Sequence, residues 1–184
     1  ENKNRFHPIR YWISPSLSDQ ESKVTSLIDR IQPGLQRTKQ FGSQSTLHIG
    51  NVRDVLSHYN DDTYYITIQA LSDLAQKYHF RHFQISHLSR KCISLCFRGL
   101  SIGASLSFGK DEIINIQNKV TLLGGTFVSI KDSREIDVYI TDLPIISSKM
   151  CIFSDGFKIV NLNWLIDSFS QLSCMDYNAY SVGC

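Results

Sequence analysis

Histidine and cysteine side chains bind metals and act as nucleophiles or general bases. Four of them fall near the middle of the chain, at His82, His87, Cys92 and Cys96. Their spacing matches no zinc motif, and the two cysteines lie among apolar neighbours, as core residues would. The five cysteines show no paired spacing, which favours a reducing compartment, the cytosol or the nucleus. The sequence therefore predicts no metal site.

Motifs typical of enzymes do not occur in the sequence. It has no glycine-rich phosphate loop, no zinc-binding pair of helical histidines and no nucleophile elbow. The net charge of +2 is too small for a protein that binds nucleic acid mainly by neutralising phosphates. No apolar run reaches the roughly 20 residues that span a bilayer. We therefore expect a binding or structural protein without a cofactor, and neither direct nucleic-acid binding nor a membrane location.

An internal repeat is visible in two segments. Residues 65–74 read YITIQALSDL, residues 159–169 read IVNLNWLIDSF, and a shift of 94 positions aligns their apolar residues. A shift of 91 positions aligns the earlier parts of the two copies, for example Ser14 with Ser105. Self-similarity at so long a spacing indicates a duplicated domain.

The second copy alternates strands with helices. Strands are predicted at 99–108, 126–130, 136–141 and 157–162, and helices at 110–125, 147–153 and 163–172. Gly124 and Gly125 end the first of these helices. The order predicts crossover connections and therefore a parallel sheet covered by helices.

The first copy follows the same order. It opens with a strand at 9–14 and continues with a helix at 18–34, for which Ser18 is the predicted capping residue. Apolar residues recur on one face of this helix, at Val24, Leu27, Ile28 and Ile31. Gly34, in the pair Pro33–Gly34, ends it.

The chain resembles a tandem pair of BRCT repeats. The residues that carry the resemblance read FRGLSIGAS, LLGGTFVS, DVYIT and IVNLNWLIDSF in the second copy, with a more divergent first copy. The resemblance implies an α/β fold with two four-stranded parallel sheets flanked by helices and packed through a linker. It divides the chain into repeat 1 at 1–80, a linker at 81–98 and repeat 2 at 99–184. It gives structural roles to the helix-ending glycines and to Trp164, which we expect to be buried on the last helix.

In this family a phosphate pocket lies in the first repeat of many pairs. It uses a Ser or Thr hydroxyl at the end of the first strand, the backbone N–H of the following Gly, and a Lys at the start of the second helix. By position the hydroxyl is that of Ser14. The next residue is Pro15, which has no N–H, so Ser16 is the nearest substitute. The sequence departs from the family pattern at this point.

The positive charge of the pocket falls by position on Arg53, which would replace the family's Lys. Gly50 and Asn51, just before it, could present free N–H groups at the start of the helix. Family members that read a free terminal carboxylate often carry an Arg where this chain has Gly50. In the second copy the position of Arg53 is occupied by Pro144, which brings no charge, so we expect no phosphate there.

The predicted linker contains the densest positive spot of the chain, at Arg90 and Lys91. These two residues could flank a bound peptide, but we expect them to be a solvated pair. Apolar residues elsewhere in the linker favour its packing along the interface between the repeats.

The resemblance implies a nuclear module of the DNA-damage response that recognises a phosphorylated Ser or Thr peptide. A phosphorylated C-terminal tail of a histone is one candidate ligand, by analogy with checkpoint mediator proteins. The alternative is a scaffold that binds an unmodified partner through the linker and the groove between the repeats, which Pro15 favours. The sequence leaves the partner and the oligomeric state open. Because it opens on Glu1, we expect a fragment of a longer protein.

Overall fold

The computed structural model describes residues 10–42, 45–77, 88–129, 135–144 and 156–183. The chain divides into two compact units, Glu1–Leu95 and Cys96–Cys184. The helix predicted at 147–153 and the first part of the predicted linker, 81–87, lie outside the described residues. None of the helices described is long and apolar enough to cross a membrane.

In the described part of the first unit, five parallel strands form one sheet in the order β2-β1-β3-β4-β5. The strands are β1 (Arg10–Ile13), β2 (Gln36–Arg37), β3 (Thr46–Gly50), β4 (Tyr64–Thr67) and β5 (Lys91–Cys92). The helices are α1 (Glu21–Ile31), α2 (Val52–Ser57) and α3 (Ile68–Lys77). The sheet therefore has one strand more than the four expected, and this strand comes from the segment predicted as a linker.

A buried lysine accompanies the extra strand. Lys91 of β5 is 6% exposed. Its Nζ donates to the backbone oxygen of Asp61 at 2.8 Å and to the Asp61 carboxylate at 3.1 Å, and also to the backbone oxygen of Thr63. A charged group so deeply buried is stable only with such partners. The prediction that Lys91 is solvated beside Arg90 was wrong, because these oxygens bind its ammonium group inside the unit.

Helix α1 buries the predicted apolar face and begins later than predicted. Val24, Leu27, Ile28 and Ile31 all lie in the core of the first unit. Residues Pro15–Gln20 form a 3₁₀ turn, and α1 starts only at Glu21. The prediction that Ser18 caps the helix was wrong. The reason is local: Pro15 suits the first position of a helical turn, and the Ser14 side chain caps that turn instead.

The described part of the second unit repeats the arrangement with four parallel strands in the order β7-β6-β8-β9. The strands are β6 (Ser101–Ala104), β7 (Thr126–Phe127), β8 (Val138–Thr141) and β9 (Lys158–Asn161), and the helices are α4 (Lys110–Leu122) and α5 (Leu162–Gln171). Ile13 pairs with Ile49 in the first sheet as Ala104 pairs with Ile140 in the second. The two units therefore share the register of their central strands.

Three glycines follow the two long helices α1 and α4, and they have two different roles. Gly34 and Gly124 have φ of +87° and +81°, a left-handed backbone that favours glycine. Gly125 has no such φ, but a Cβ there would lie 3.0 Å from Cγ1 of Val120 and 3.1 Å from Cβ of Phe97. Its role is close packing.

Each unit holds one of the chain's two tryptophans. Trp164, the third residue of α5, is fully buried between the rings of Phe97 and Tyr177, with centroids 4.8 and 5.5 Å away. Its Nε1–H donates to the backbone oxygen of Met175 at 3.0 Å. Trp12 of β1 is only partly buried and meets Phe41 edge-on, at 4.9 Å.

Candidate functional site

The end of β1 and the start of α2 meet at one edge of the first sheet. Ser14 follows β1, and Asn51 separates β3 from α2. The backbone N–H of Ser14 donates to the backbone oxygen of Ile49 at 2.8 Å, which extends the pairing of β1 and β3 by one residue. Because the strands are parallel, both segments leave the sheet at its carboxyl edge, where ligands commonly bind in such sheets.

Two serines lie at the end of β1. Ser14 is 5% exposed, and its Oγ accepts a hydrogen bond from the backbone N–H of Ser16 at 3.3 Å. The N–H that was the predicted substitute for the one missing at Pro15 is therefore already used within the turn. The Ser16 Oγ lies 3.0 Å from the Ser14 Oγ and 2.5 Å from Oδ2 of Asp54. Since a carboxylate is the stronger acceptor, the Ser16 hydroxyl donates to Asp54.

The Asp54 carboxylate also accepts a hydrogen bond from the backbone N–H of Asn51, the residue just before α2. The N–H of Asn51 donates to Asp54 Oδ2 at 3.0 Å, and the N–H of Asp54 donates to the side chain of Asn51 at 2.9 Å. This reciprocal pair is a capping box. One carboxylate oxygen of Asp54 thus accepts from both Ser16 and Asn51. We call Ser14, Ser16, Asn51 and Asp54 the strand-end cluster.

The hydrogen bonds of the cluster hold Asp54 in its charged form. Partial burial would by itself raise the pKa of Asp54, but hydrogen bonds from Ser16, from the Asn51 backbone and from Ser14 outweigh it, so the pKa lies below its ordinary value. Tyr65 lies beside the carboxylate: its own burial, and then the charge of Asp54, raise the pKa of Tyr65 to about 12. The cluster is therefore built around a negative charge.

Gly50 makes room for this arrangement. A Cβ at position 50 would lie 2.6 Å from Asp54 Oδ2 and 2.7 Å from Cε1 of Tyr65. Both distances are too short, so the absence of a side chain lets the carboxylate reach the N–H of Asn51. Gly50 itself is buried, at the end of β3.

Arg53 is the second residue of α2, and its side chain is exposed. In the part of the chain that the structure describes, it forms no ion pair with the acidic groups of the site. The structure thus joins Ser14, Ser16 and Asn51 through Asp54, and it leaves Arg53 in solvent on the same short helix.

The second unit carries a counterpart of the cluster. The N–H of Ser107 donates to the Ser105 Oγ at 3.2 Å, and the Ser107 hydroxyl donates to the carboxylate of Asp142. Asp142 follows β8 directly, in the place that Asn51 takes after β3. Pro144, in the place of Arg53, is exposed and uncharged.

The described residues contain no group of three His, Cys, Asp or Glu side chains that could hold a metal ion. Cys92 is buried in the first core, and Cys96 is partly buried at the start of the second unit. The other two residues considered for zinc, His82 and His87, lie outside the described residues.

No family model matches the sequence, and no curated protein matches it either. Solved structures do match. A chain in the crystal structure of yeast Rtt107 and Mms22 is 17% identical and aligns with a TM-score of 0.51 over 96% of this chain and 44% of its own length. The Rad4 BRCT1,2 pair in complex with a Crb2 phosphopeptide aligns over 96% of this chain and 98% of that one, with 12% identity and a TM-score of 0.42. The C-terminal BRCT domain of human XRCC1 covers 48% of this chain and 94% of its own, with 16% identity and a TM-score of 0.44.

Over 96% of its length the chain shares its fold with the matched chain of the yeast Rtt107 and Mms22 structure. The α/β fold predicted from the repeated order of strands and helices is confirmed, because each unit contains a parallel sheet flanked by helices. At identities of 12–17%, the likeness concerns the fold alone.

The sequence predicts five candidate residues in the first repeat by position, and Asp54 is not among them: Ser14, Ser16, Gly50, Asn51 and Arg53. A signal for it was present, because Asn51 followed by an acidic residue three positions later is the spacing of a capping box. The pocket pattern of the family specifies a cation at the start of the second helix and no acidic residue beside it.

Proposed function

We propose that this tandem BRCT chain is a non-catalytic protein-binding module of the DNA-damage response, acting in the nucleus. Its first repeat binds a phosphorylated Ser or Thr peptide at the strand-end cluster, and Arg53 supplies the positive charge. A phosphorylated histone C-terminal tail is the first candidate ligand, by analogy between folds.

The observation that carries the proposal is the convergence of donors on one anionic oxygen. The Ser16 hydroxyl and the Asn51 N–H both donate to Oδ2 of Asp54, at 2.5 and 3.0 Å. A phosphate oxygen accepts the same kind of charge-assisted hydrogen bond as a carboxylate oxygen. A phosphate that displaced the Asp54 side chain would find these donors already placed, with the Arg53 guanidinium on the same helix able to pair with it.

The second candidate is a scaffold that binds an unmodified partner. One observation favours it: Asp54 already satisfies the donors that a phosphate would use, and Pro15 offers no N–H. This candidate predicts equal binding of phosphorylated and unphosphorylated forms of a partner.

Calorimetric titration of the whole chain with matched phosphorylated and unphosphorylated peptides, starting with the histone tail, separates the two candidates. We expect phosphate-dependent binding, which Arg53→Glu abolishes without lowering the melting temperature, because the Arg53 side chain is exposed. Ser16→Ala should weaken binding about tenfold, the loss of one hydrogen bond to a charged group.

Arg10→Glu is the matched control. Arg10 is also exposed, and its replacement makes the same change in charge, but it lies at the opposite end of β1. This variant should bind like the wild type. If Arg53→Glu binds the phosphorylated peptide as well as Arg10→Glu does, the phosphate does not contact this site. If no tested peptide binds better when phosphorylated, the scaffold replaces the proposal.

A further inference from the structure

We infer that His48 is a proton-sensitive latch: its neutral imidazole holds residues 38–42 against the first sheet, and a protonated imidazole releases them. These residues directly follow β2, and we call them the strap. The latch shares no residue with the strand-end cluster and does not depend on the proposed function.

Both ring nitrogens of His48 meet backbone groups, and the two groups are of opposite kinds. The side chain is fully buried on β3. Its Nδ1 lies 3.1 Å from the backbone oxygen of Tyr64, which can only accept, so Nδ1 carries a proton. Its Nε2 accepts from the backbone N–H of Gly42 at 3.3 Å, so Nε2 carries none. The two partners therefore select one tautomer of the neutral ring.

The end of the strap is held by this hydrogen bond and by one aromatic ring. The centroid of the Phe41 ring lies 4.6 Å from that of His48 and 4.9 Å from that of Trp12. Phe41 remains 47% exposed, so its burial contributes only part of what a fully buried ring would. The hydrogen bond from Gly42 is therefore important for keeping the strap in place.

A second proton on the imidazole of His48 has no acceptor in this arrangement. It binds to Nε2 and points at the N–H of Gly42, so that two donors face each other. A buried charge without an acceptor is costly, and the strap must move away before water can reach Nε2. That movement also carries Phe41 off the imidazole. Protonation therefore releases the strap.

Burial keeps the latch closed at neutral pH. It lowers the pKa of His48 below the ordinary value of 6.5. The hydrogen bond to Tyr64 and the charge of Asp61 act in the opposite direction, whereas the charges of His58 and Lys91 lower the pKa further. The stability that neutral His48 contributes is therefore fully present above pH 6.5 and is lost as the pH falls through the lower pKa of the folded state.

Tyr65 of β4 is a further titratable group against the imidazole. Its ring stacks on both His48 and His58, with centroids 5.5 and 5.0 Å away. The pKa of Tyr65 is raised to about 12, so its phenol stays neutral throughout the acid range and brings no charge to the latch.

NMR of the whole chain, labelled with ¹⁵N, tests the latch as the pH is lowered from neutral. The ring nitrogens of His48 report its protonation, the backbone amide of Gly42 reports the hydrogen bond, and the nuclear Overhauser effect between the rings of Phe41 and Trp12 reports the strap. We expect the Gly42 signal to shift with the same midpoint as His48, below pH 6.5, and the Overhauser effect to be lost in the same step. Circular dichroism should show that the fold is retained.

Two variants identify the group that controls the step. His48→Gln removes the titrating ring and keeps an acceptor for the Gly42 N–H, so its Gly42 signal should stay constant over the same pH range. His58→Gln is the matched control, because His58 also contacts Phe41 and Tyr65. It should keep the step and move its midpoint to higher pH, since the charge of His58 no longer lowers the pKa of His48.

A Gly42 signal that stays constant while His48 takes up its proton overturns the inference, and so does unfolding of the chain before that proton is bound. A step that persists in His48→Gln or disappears in His58→Gln also overturns it, because another group would then control the strap. If His48→Gln does not fold, the comparison of the His48 and Gly42 signals in the wild type decides by itself.

Discussion

Replacing Trp164 by alanine removes the largest fully buried side chain of the second repeat. The indole fills the space between Phe97 and Tyr177, and Trp164 is the third residue of α5. Phe97 and Tyr177 stack on the indole, so its removal takes a stacking partner from both rings. We expect Trp164→Ala to lower the free energy of unfolding substantially.

The magnitude follows from the contacts. Truncating a buried Trp or Phe to Ala typically costs about 3–5 kcal/mol, which includes the cavity and the lost stacking. The hydrogen bond from Nε1 to Met175 contributes about 1 kcal/mol more. We therefore expect a loss near the upper end of that range. Trp164→Phe keeps one ring in the stack and loses the hydrogen bond, and should cost about 2 kcal/mol.

Urea denaturation followed by circular dichroism measures both variants. Ile166→Ala is the control on the same helix: its side chain is 45% exposed, so its effect should stay within about 0.5 kcal/mol. A Trp164→Ala protein within about 1 kcal/mol of the wild type would show that the indole does not occupy the core, and the packing of α5 described above would be incorrect.

Two further predictions concern charged groups of the first repeat. Lys91→Met should lower the free energy of unfolding by about 1.5–3 kcal/mol, because the carbonyl oxygens of Asp61 and Thr63 lose a charged donor; the same assay on Lys23→Met, an exposed change on α1, should show almost none of this loss. The stability that the charged Asp54 contributes should be fully present above the ordinary carboxyl pKa of 3.8 and be lost as the pH falls through the lower pKa of the folded state. The difference in unfolding free energy between wild type and Asp54→Asn should therefore shrink below about pH 4, and a difference that grows with acidity would contradict the assignment.

The regular elements could be predicted because their signals are local and repeated. The apolar spacing of Val24, Leu27, Ile28 and Ile31 has only one simple explanation, an amphipathic helix, and the structure buries all four. The duplication provided a second, independent copy of the same order. Agreement between copies separates strands from helices better than either copy alone.

The predictions that were wrong concern residues whose position depends on a few specific hydrogen bonds. Whether Ser18 or Ser14 caps a turn depends on Pro15, and whether Lys91 is exposed depends on carbonyl oxygens 28 and 30 residues earlier in the chain. Composition and periodicity do not carry such information. The same holds for Asp54, whose place in the site depends on the missing side chain of Gly50.

Because each repeat contains one tryptophan, the intrinsic fluorescence of the chain can report on each repeat separately. Trp12 is the only indole of the first unit and Trp164 the only one of the second. With Trp164 replaced by phenylalanine, tryptophan fluorescence reports on β1 alone, two residues from Ser14. With Trp12 replaced, it reports on α5 alone. Comparing the two emission curves during denaturation shows directly whether the repeats of the intact chain unfold in one transition or in two, without cutting the chain or adding a dye.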